Sequence, residues 1–449
     1  MERDAPVRGH VHHRQAGDPP LSARRTRRPH DDPGGRASRV DRGRRRLPAP
    51  ARCVGHCWSE DVRVFLVVLD GVGMGEMPDA SQYGDQGSHT LRHVAEFAGG
   101  LRVPAMESLG LGTLVELPGV RPVKSPLGAR GRMTERSAGK DSTTGHWEMM
   151  GIVLDKAFPT YPSGFPLPLL ESWCERVGRG WLGNCTASGT EIINRLGQQH
   201  QETGRYIVYT SADSVFQIAA HESTVPLEEL YGACRTAREM LSGEHAVGRV
   251  IARPFVGVPG EYKRTSNRRD FSLVPFEPTV LDRLKTAGHR TVTVGKVDDL
   301  FAGSGVTDPI HTKSNDEGAA VLFDLVSKPG EGLVFANLVD FDTQYGHRND
   351  PAGFARALEA WDEQLARLLP MLRDDEMIWI TADHGNDPTT PSTDHSREYT
   401  PLLVAGPRVR AGRDLGTRET FADLGATLAD VFSIPAPRHG RSFLGEVRA

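Results

Sequence analysis

From Val62 onward, short apolar runs rich in β-branched residues alternate with stretches in which apolar positions recur every three or four residues. This is the pattern of parallel strands joined by crossover helices. Val64 to Leu69, Leu333 to Val339 and Met377 to Ile380 are continuous apolar runs, as expected of strands buried on both faces. Each leads into an acid, at Asp70, Asp340 and, after Thr381 and Ala382, Asp383. Between Asp342 and Asp383, the stripe Phe354, Ala357, Leu358, Trp361, Leu365 and Leu368 predicts a helix packed on the core. The fold class is α/β, with a mostly parallel sheet sandwiched by helices. Ligands of such sheets gather beyond the carboxyl ends of the strands, where these acids stand.

Proline and glycine punctuate both ends of the stretch from Phe158 to Pro275. Inside it, Tyr206 to Thr210 and Arg249 to Val256 read as strands and Leu227 to Leu241 as a helix. Two consecutive domains would part Asp70 from Asp342 and Asp383. The expected division is therefore a core from 61–157 and 276–449 with a small α/β domain, 158–275, inserted between its halves.

Residues 1–60 follow other rules. They hold 14 Arg, no Lys and 7 acids, a charge of +7 within a chain whose formal total is -4, and almost no aliphatic periodicity. Such a segment cannot offset its ordering entropy by burial, so a disordered Arg-rich extension is expected. A nucleic-acid-binding arm is the rival reading. Five scattered cysteines argue against a disulfide framework, and no run reaches the length of a membrane span. A cytoplasmic protein without a membrane partner is expected.

The candidate chemistry lies at the strand ends. Asp342 and His347 share one loop, while Asp383 and His384 are followed by His395. With Asp70 they make three carboxylates and three imidazoles, a donor set suited to a pair of divalent ions such as Mn2+ rather than thiolate-bound zinc. Two such ions against three carboxylates leave about one positive charge, which calls for an anionic substrate, and paired ions favour in-line displacement at phosphorus. Gly139-Lys-Asp-Ser-Thr-Thr-Gly-His-Trp-Glu148 supplies several hydroxyl nucleophiles on a turn open enough for an oxyanion. Gly71, Gly73 and Gly75 miss the dinucleotide fingerprint, because Glu76 occupies the place of its last glycine.

These segments, with Val68-Leu-Asp-Gly-Val-Gly-Met-Gly75, Tyr209-Thr-Ser-Ala-Asp-Ser-Val215, Arg264-Thr-Ser-Asn-Arg-Arg-Asp270 and Ala382-Asp-His-Gly-Asn386, resemble the phosphopentomutase family of the alkaline phosphatase superfamily. The resemblance runs from Val62 to the C-terminus in unbroken order. It implies interconversion of ribose or deoxyribose 1- and 5-phosphates in nucleoside salvage. It also implies two Mn2+, a bisphosphate activator (glucose 1,6-bisphosphate or ribose 1,5-bisphosphate), pentose phosphates as the partners and no nucleic acid. By the same resemblance Asp70, Asp383 and His384 hold one metal and Asp342, His347 and His395 the other. Ser142, where the family usually has threonine, is the implied nucleophile. The inserted domain becomes a cap with Ser211, Asp213 and Val215 near the substrate, and Arg264, Arg268 and Lys296 as phosphate contacts. A metal-dependent phosphatase or another phosphomutase on the same core is the alternative.

Overall fold

The computed structural model describes residues 62–211 and 213–449. The expectation for residues 1–60 lies outside the described residues. The strands, in chain order, are β1 (Arg63–Leu69), β2 (Ala129–Met133), β3 (Trp181–Thr186), β4 (Tyr206–Thr210), β5 (Val215–His221), β6 (Arg249–Val256) and β7 (Lys263–Arg264). They continue with β8 (Arg269–Ser272), β9 (Thr291–Val294), β10 (Asp308–Ile310), β11 (Gly332–Leu338), β12 (Glu376–Thr381), β13 (Thr400–Ala405) and β14 (Asp414–Arg418).

Eight of these form one sheet in the order β10-β9-β11-β1-β12-β13-β2-β14. Neighbours from β10 through β12 are parallel, and β13 is antiparallel to both β12 and β2. Every residue of β1, β11 and β12 is buried, as their unbroken apolar runs require. Alternation still sorts β1 between two cores. Val64, Leu66 and Val68 pack with Trp147, Trp379 and Phe421 on one face, whereas Phe65, Val67 and Leu69 pack with Phe354, Leu358 and Trp361 on the other. The last three belong to the helix Pro351–Leu368, which buries the stripe read from the sequence, with Ala357 only partly covered. This is an α/β core with helices on both faces.

The second sheet, β3-β4-β5-β6-β7 with β8 on β6, is built from residues that fall in sequence between β2 and β9. Helices Leu167–Val177 and Leu227–Met240 cover one face through Trp173, Phe216 and Leu230. Helix Gly189–Thr203 covers the other through Ile192, Ile193 and Phe255. Where the chain passes between the two sheets, Phe158 and Phe276 both set their ring edges against Trp147, 5.5 and 5.9 Å between centroids. Trp147 lies five residues beyond Ser142, in helix Ser142–Met149.

Candidate active site

The topology explains why distant residues meet. β1 lies between β11 and β12, with Val68 opposite Thr381 and Leu69 opposite Leu338. Asp70 and Asp383 therefore leave adjacent parallel strands side by side, and the Gly71 N–H donates to Asp383 Oδ1 at 3.1 Å. After β11 the chain makes a wide turn over Phe341–Tyr345. That turn corrects one expectation from the strand ends. Asp340 accepts from the Asn315 N–H at 2.7 Å, while Asp342, two residues on, is buried in the cluster. The bridge between Gly385 and Ser396 folds the last loop back and stacks His395 on His384, with 3.9 Å between ring centroids.

Two sets of ligand atoms result, each within 4.8 Å of one another: Asp70, Asp383 and His384, and Asp342, His384 and His395. His384 is common to both. Its Nε2 lies 3.5 Å from Asp70 Oδ1 and 3.4 Å from Asp383 Oδ2, while His395 Nε2 lies 3.4 Å from Asp342 Oδ1. Ligands about 2.1 Å from a shared ion are spaced about 3.0–3.4 Å, so these side chains fit around divalent cations. Asp70 Oδ1, Asp383 Oδ2 and His395 Nε2 are buried and make no hydrogen bond, which agrees with a role as metal donors. His347 stands at the edge of the second set, its Nε2 3.3 Å from Asp342 Oδ2. Its Nδ1 hydrogen-bonds the Thr393 carbonyl at 2.6 Å, which fixes the ring and leaves Nε2 as the free donor atom.

The electrostatics record crowded negative charge. Burial and then the neighbouring Asp383 push the Asp70 carboxyl well above the ordinary range, against the opposing charge of Lys296. Burial acts the same way on Asp342 and Asp383, but His395 and His347 outweigh it at Asp342, and His384 and His146 outweigh it at Asp383, so both are lowered. Burial drives His384 down to about 3, against the opposing pull of Asp383. At Lys296 burial is outweighed by Asp70, Asp342 and Asp383, and the ammonium is held.

Ser142 opens helix Ser142–Met149, capped by Asp141, which accepts from the Thr143 and Thr144 N–H groups. Its Oγ lies 3.1 Å from His384 Nε2 and accepts from Lys296 Nζ at 2.8 Å, and Lys296 also pairs with Asp70. Thr144 Oγ1 is taken up by Asp141 at 2.6 Å. Gly145 lets this helix press against the end of β12, since a Cβ there would lie 2.3 Å from the Asp383 carbonyl oxygen. A cavity of about 1030 Å³ joins Ser142, Lys296, Asp342, His347 and His395 to Asp213, Arg249, Arg268 and Asp270 of the second sheet's segment. Ser211, Val215 and Arg264, the other residues expected near the substrate, do not line it, and Val215 is buried within β5. Arg249 was not anticipated. It begins β6 opposite Val215, and only that register turns it toward the cavity with Asp213 and Asp270.

The buried carboxylate and imidazole clusters define a metalloenzyme, and residues 62–436 match the family model described as Metalloenzyme superfamily. Over 385 residues the chain is 56% identical to the phosphopentomutase of Caldanaerobacter subterraneus subsp. tengcongensis, covering 86% of this chain and 98% of that one. It is 54% identical to the phosphopentomutase of Clostridium novyi, covering 86% and 99%. Among solved structures it is similar to the phosphoglycerate mutase of Leishmania mexicana, at 13% identity and a TM-score of 0.43, over 85% of this chain and 97% of that one. The chain belongs to the phosphopentomutase family, a family of metal-dependent phosphotransferase isomerases. Among the described residues, no helix is long and apolar enough to cross a membrane.

Proposed function

We propose that this enzyme interconverts the 1- and 5-phosphates of ribose and 2-deoxyribose through a phosphorylated Ser142, in nucleoside salvage in the cytoplasm. The observation that carries this reading is the position of Ser142 Oγ, at a helix N-terminus between His384 Nε2 and Lys296 Nζ, inside the shared cavity. Thr143 also lines the cavity but has no such pair of neighbours. Asp70, Asp383 and His384 would hold one Mn2+, and Asp342, His395 and His347 the other, with His384 lying between the two sets. When bound, such ions neutralise the phosphoryl oxygens and stabilise the serine alkoxide.

The rest falls to the chain's own groups. The free hydroxyl of a pentose phosphate attacks the phosphorus of phosphorylated Ser142, and the proton it loses ends on the departing Ser142 Oγ. As the bond from phosphorus to Oγ breaks, Lys296 Nζ hydrogen-bonds the leaving Oγ, and the helix N-terminus favours its negative charge. The product is a sugar bisphosphate, which turns and returns its other phosphoryl group to Ser142. A bisphosphate such as glucose 1,6-bisphosphate or ribose 1,5-bisphosphate would prime the serine. The segment 158–275 acts as a cap. Arg249 and Arg268 orient the anionic sugar phosphate, and closure excludes the water that would make the enzyme a phosphatase. The Ser142→Ala variant tests the reading. It should lose at least 1000-fold in turnover and show no phosphopeptide spanning residue 142 after incubation with glucose 1,6-bisphosphate. Retained turnover would remove Ser142 from the mechanism.

A further inference from the structure

Gly71, Gly73 and Gly75 miss the dinucleotide fingerprint, and the turn they form after β1 is occupied by a carboxylate of the chain itself. Glu398 is 1% exposed beneath this turn, and among the described residues no cation pairs with it. Four donors converge on it instead. Oε2 accepts from the Gly75 and Thr90 N–H groups, both at 2.9 Å, and Oε1 accepts from Thr90 Oγ1 and Ser396 Oγ, both at 2.7 Å. A Cβ on Gly73 would collide with the carboxylate. The backbone is fastened around it, because the Met74 N–H donates to the Tyr399 carbonyl at 2.8 Å and the Tyr399 N–H to the Gly75 carbonyl at 2.9 Å. Thr90 opens helix Thr90–Phe97, whose positive N-terminal end favours the buried anion.

Two arms run from Glu398 to the second ligand set. In the first, the Asn386 N–H donates to Thr90 Oγ1 at 3.1 Å, and Asn386 Nδ2 donates to Asp342 Oδ1 at 2.7 Å. Asn386 is fully buried, and Gly346 lies against it so closely that a Cβ there would be 2.5 Å from Asn386 Cγ. The amide is thus wedged facing Asp342. In the second arm, Ser396 adjoins His395 and closes the bridge to Gly385, with N–H donations of 3.0 and 2.7 Å between their backbones. The first set is braced by other groups. Lys296 pairs with Asp70, while Asp383 accepts from the Gly71 N–H and faces His146 Nδ1 at 3.3 Å.

We propose that Glu398 is a positioning residue for the second ion, holding Asp342 through Thr90 and Asn386, and His395 through Ser396. The inference rests on the paired-metal reading given above. Glu398→Gln is the first variant. Its amide oxygen can keep the two fixed N–H donors, but its nitrogen then faces both hydroxyls, so the Thr90 and Ser396 protons lose their acceptor. The test is calorimetric titration of Mn2+ into the full chain stripped of metal, where the wild type should take up two equivalents and His395→Ala identifies the one belonging to the second set. In Glu398→Gln that equivalent should weaken about 10–100-fold, the usual effect of losing a group that orients a metal ligand, with the other unchanged. Thr90→Val, which keeps the shape and loses the hydroxyl, should weaken the same equivalent, and Thr90→Ser should restore it. A packing role alone would give the reverse order, since valine fills the space of Thr90 and serine does not. The Thr90 pair carries the test if Glu398→Gln folds poorly. Equal weakening of both equivalents in Glu398→Gln, or wild-type affinities in Thr90→Val, would overturn the proposal alone. A wild type that binds a single equivalent would overturn the paired-metal reading and the positioning role with it.

Discussion

Replacing Glu148 with Gln keeps the shape of one side chain and removes an anchor of helix Ser142–Met149. Glu148 is fully buried, and four donors converge on it. Oε1 accepts from the Arg136 N–H at 2.9 Å, the Phe421 N–H at 2.9 Å and Thr420 Oγ1 at 2.7 Å, while Oε2 accepts from the Ser137 N–H at 2.6 Å. An amide cannot match this set, because its nitrogen must face at least one N–H in either orientation. With the carbonyl kept toward Phe421, the Ser137 N–H is left against a donor, and the remaining bonds lose their charge assistance. Hydrogen bonds to a charged group are worth about 1.5–3 kcal/mol each and neutral ones about half that, so the net loss is about 3 kcal/mol after allowing for the easier burial of an uncharged group. In calorimetry of the full chain the transition should fall by roughly 3–4 °C. Hydrogen exchange should rise at the amides of Ser137 and Phe421 before it rises elsewhere in the core. A shift of less than 1 °C, or unchanged exchange at those amides, would refute this account of how the helix is anchored.

Other expectations follow from the same geometry. His384→Ala should lower binding of both metal equivalents, because His384 belongs to both ligand sets, whereas His395→Ala should cost one; metal content after gel filtration distinguishes them. Gly145→Ala should displace the end of β12 and reduce metal affinity at least 10-fold, as measured by competition with a chelating dye, since the clash is with backbone that has no room to move. Burial lowers the His347 pKa, but Asp342 outweighs it and holds the ring up at about 9. The metal-free ring is therefore protonated at neutral pH, and metal uptake must release that proton. Metal affinity should rise from pH 6 to 9. The contribution of the Asp342–His347 pair to metal-free stability, complete below the unfolded value of 6.5, should be lost as pH rises through about 9. Calorimetric metal titrations and unfolding scans at pH 6, 7.5 and 9 check both signs.

The parts of the fold legible in the sequence are those where burial alone dictates residue type. β1, β11 and β12 are buried on both faces and had to be continuous apolar runs, and helix Pro351–Leu368 had to carry a stripe. β2, with Arg130 and Arg132 alternating outward, and the two-residue β7 carry no such signal. They exist because β13 and β6 offer edges to pair with. In the site, ligand types and spacing announced the metal centre. Asp342 was read as a ligand from its spacing to His347, whereas the wide turn that carries Asp340 away from the cluster to Asn315 is a backbone event without a residue signature. The sharing of His384 depends on a ring position set by the Gly385–Ser396 bridge. Arg249 was hidden for a related reason: in an arginine-rich stretch, only cross-strand register decides which guanidinium faces the cavity.

The central claim is that a phosphoryl group taken from Ser142 goes to a sugar hydroxyl and not to water. Phosphorus NMR of the purified full chain with Mn2+, a trace of glucose 1,6-bisphosphate and α-ribose 1-phosphate reads this directly. The account predicts a growing ribose 5-phosphate signal until the two esters reach equilibrium, with little inorganic phosphate. Inorganic phosphate as the sole product would contradict it, leaving the metal centre in place but showing that segment 158–275 does not keep water from the phosphorylated serine.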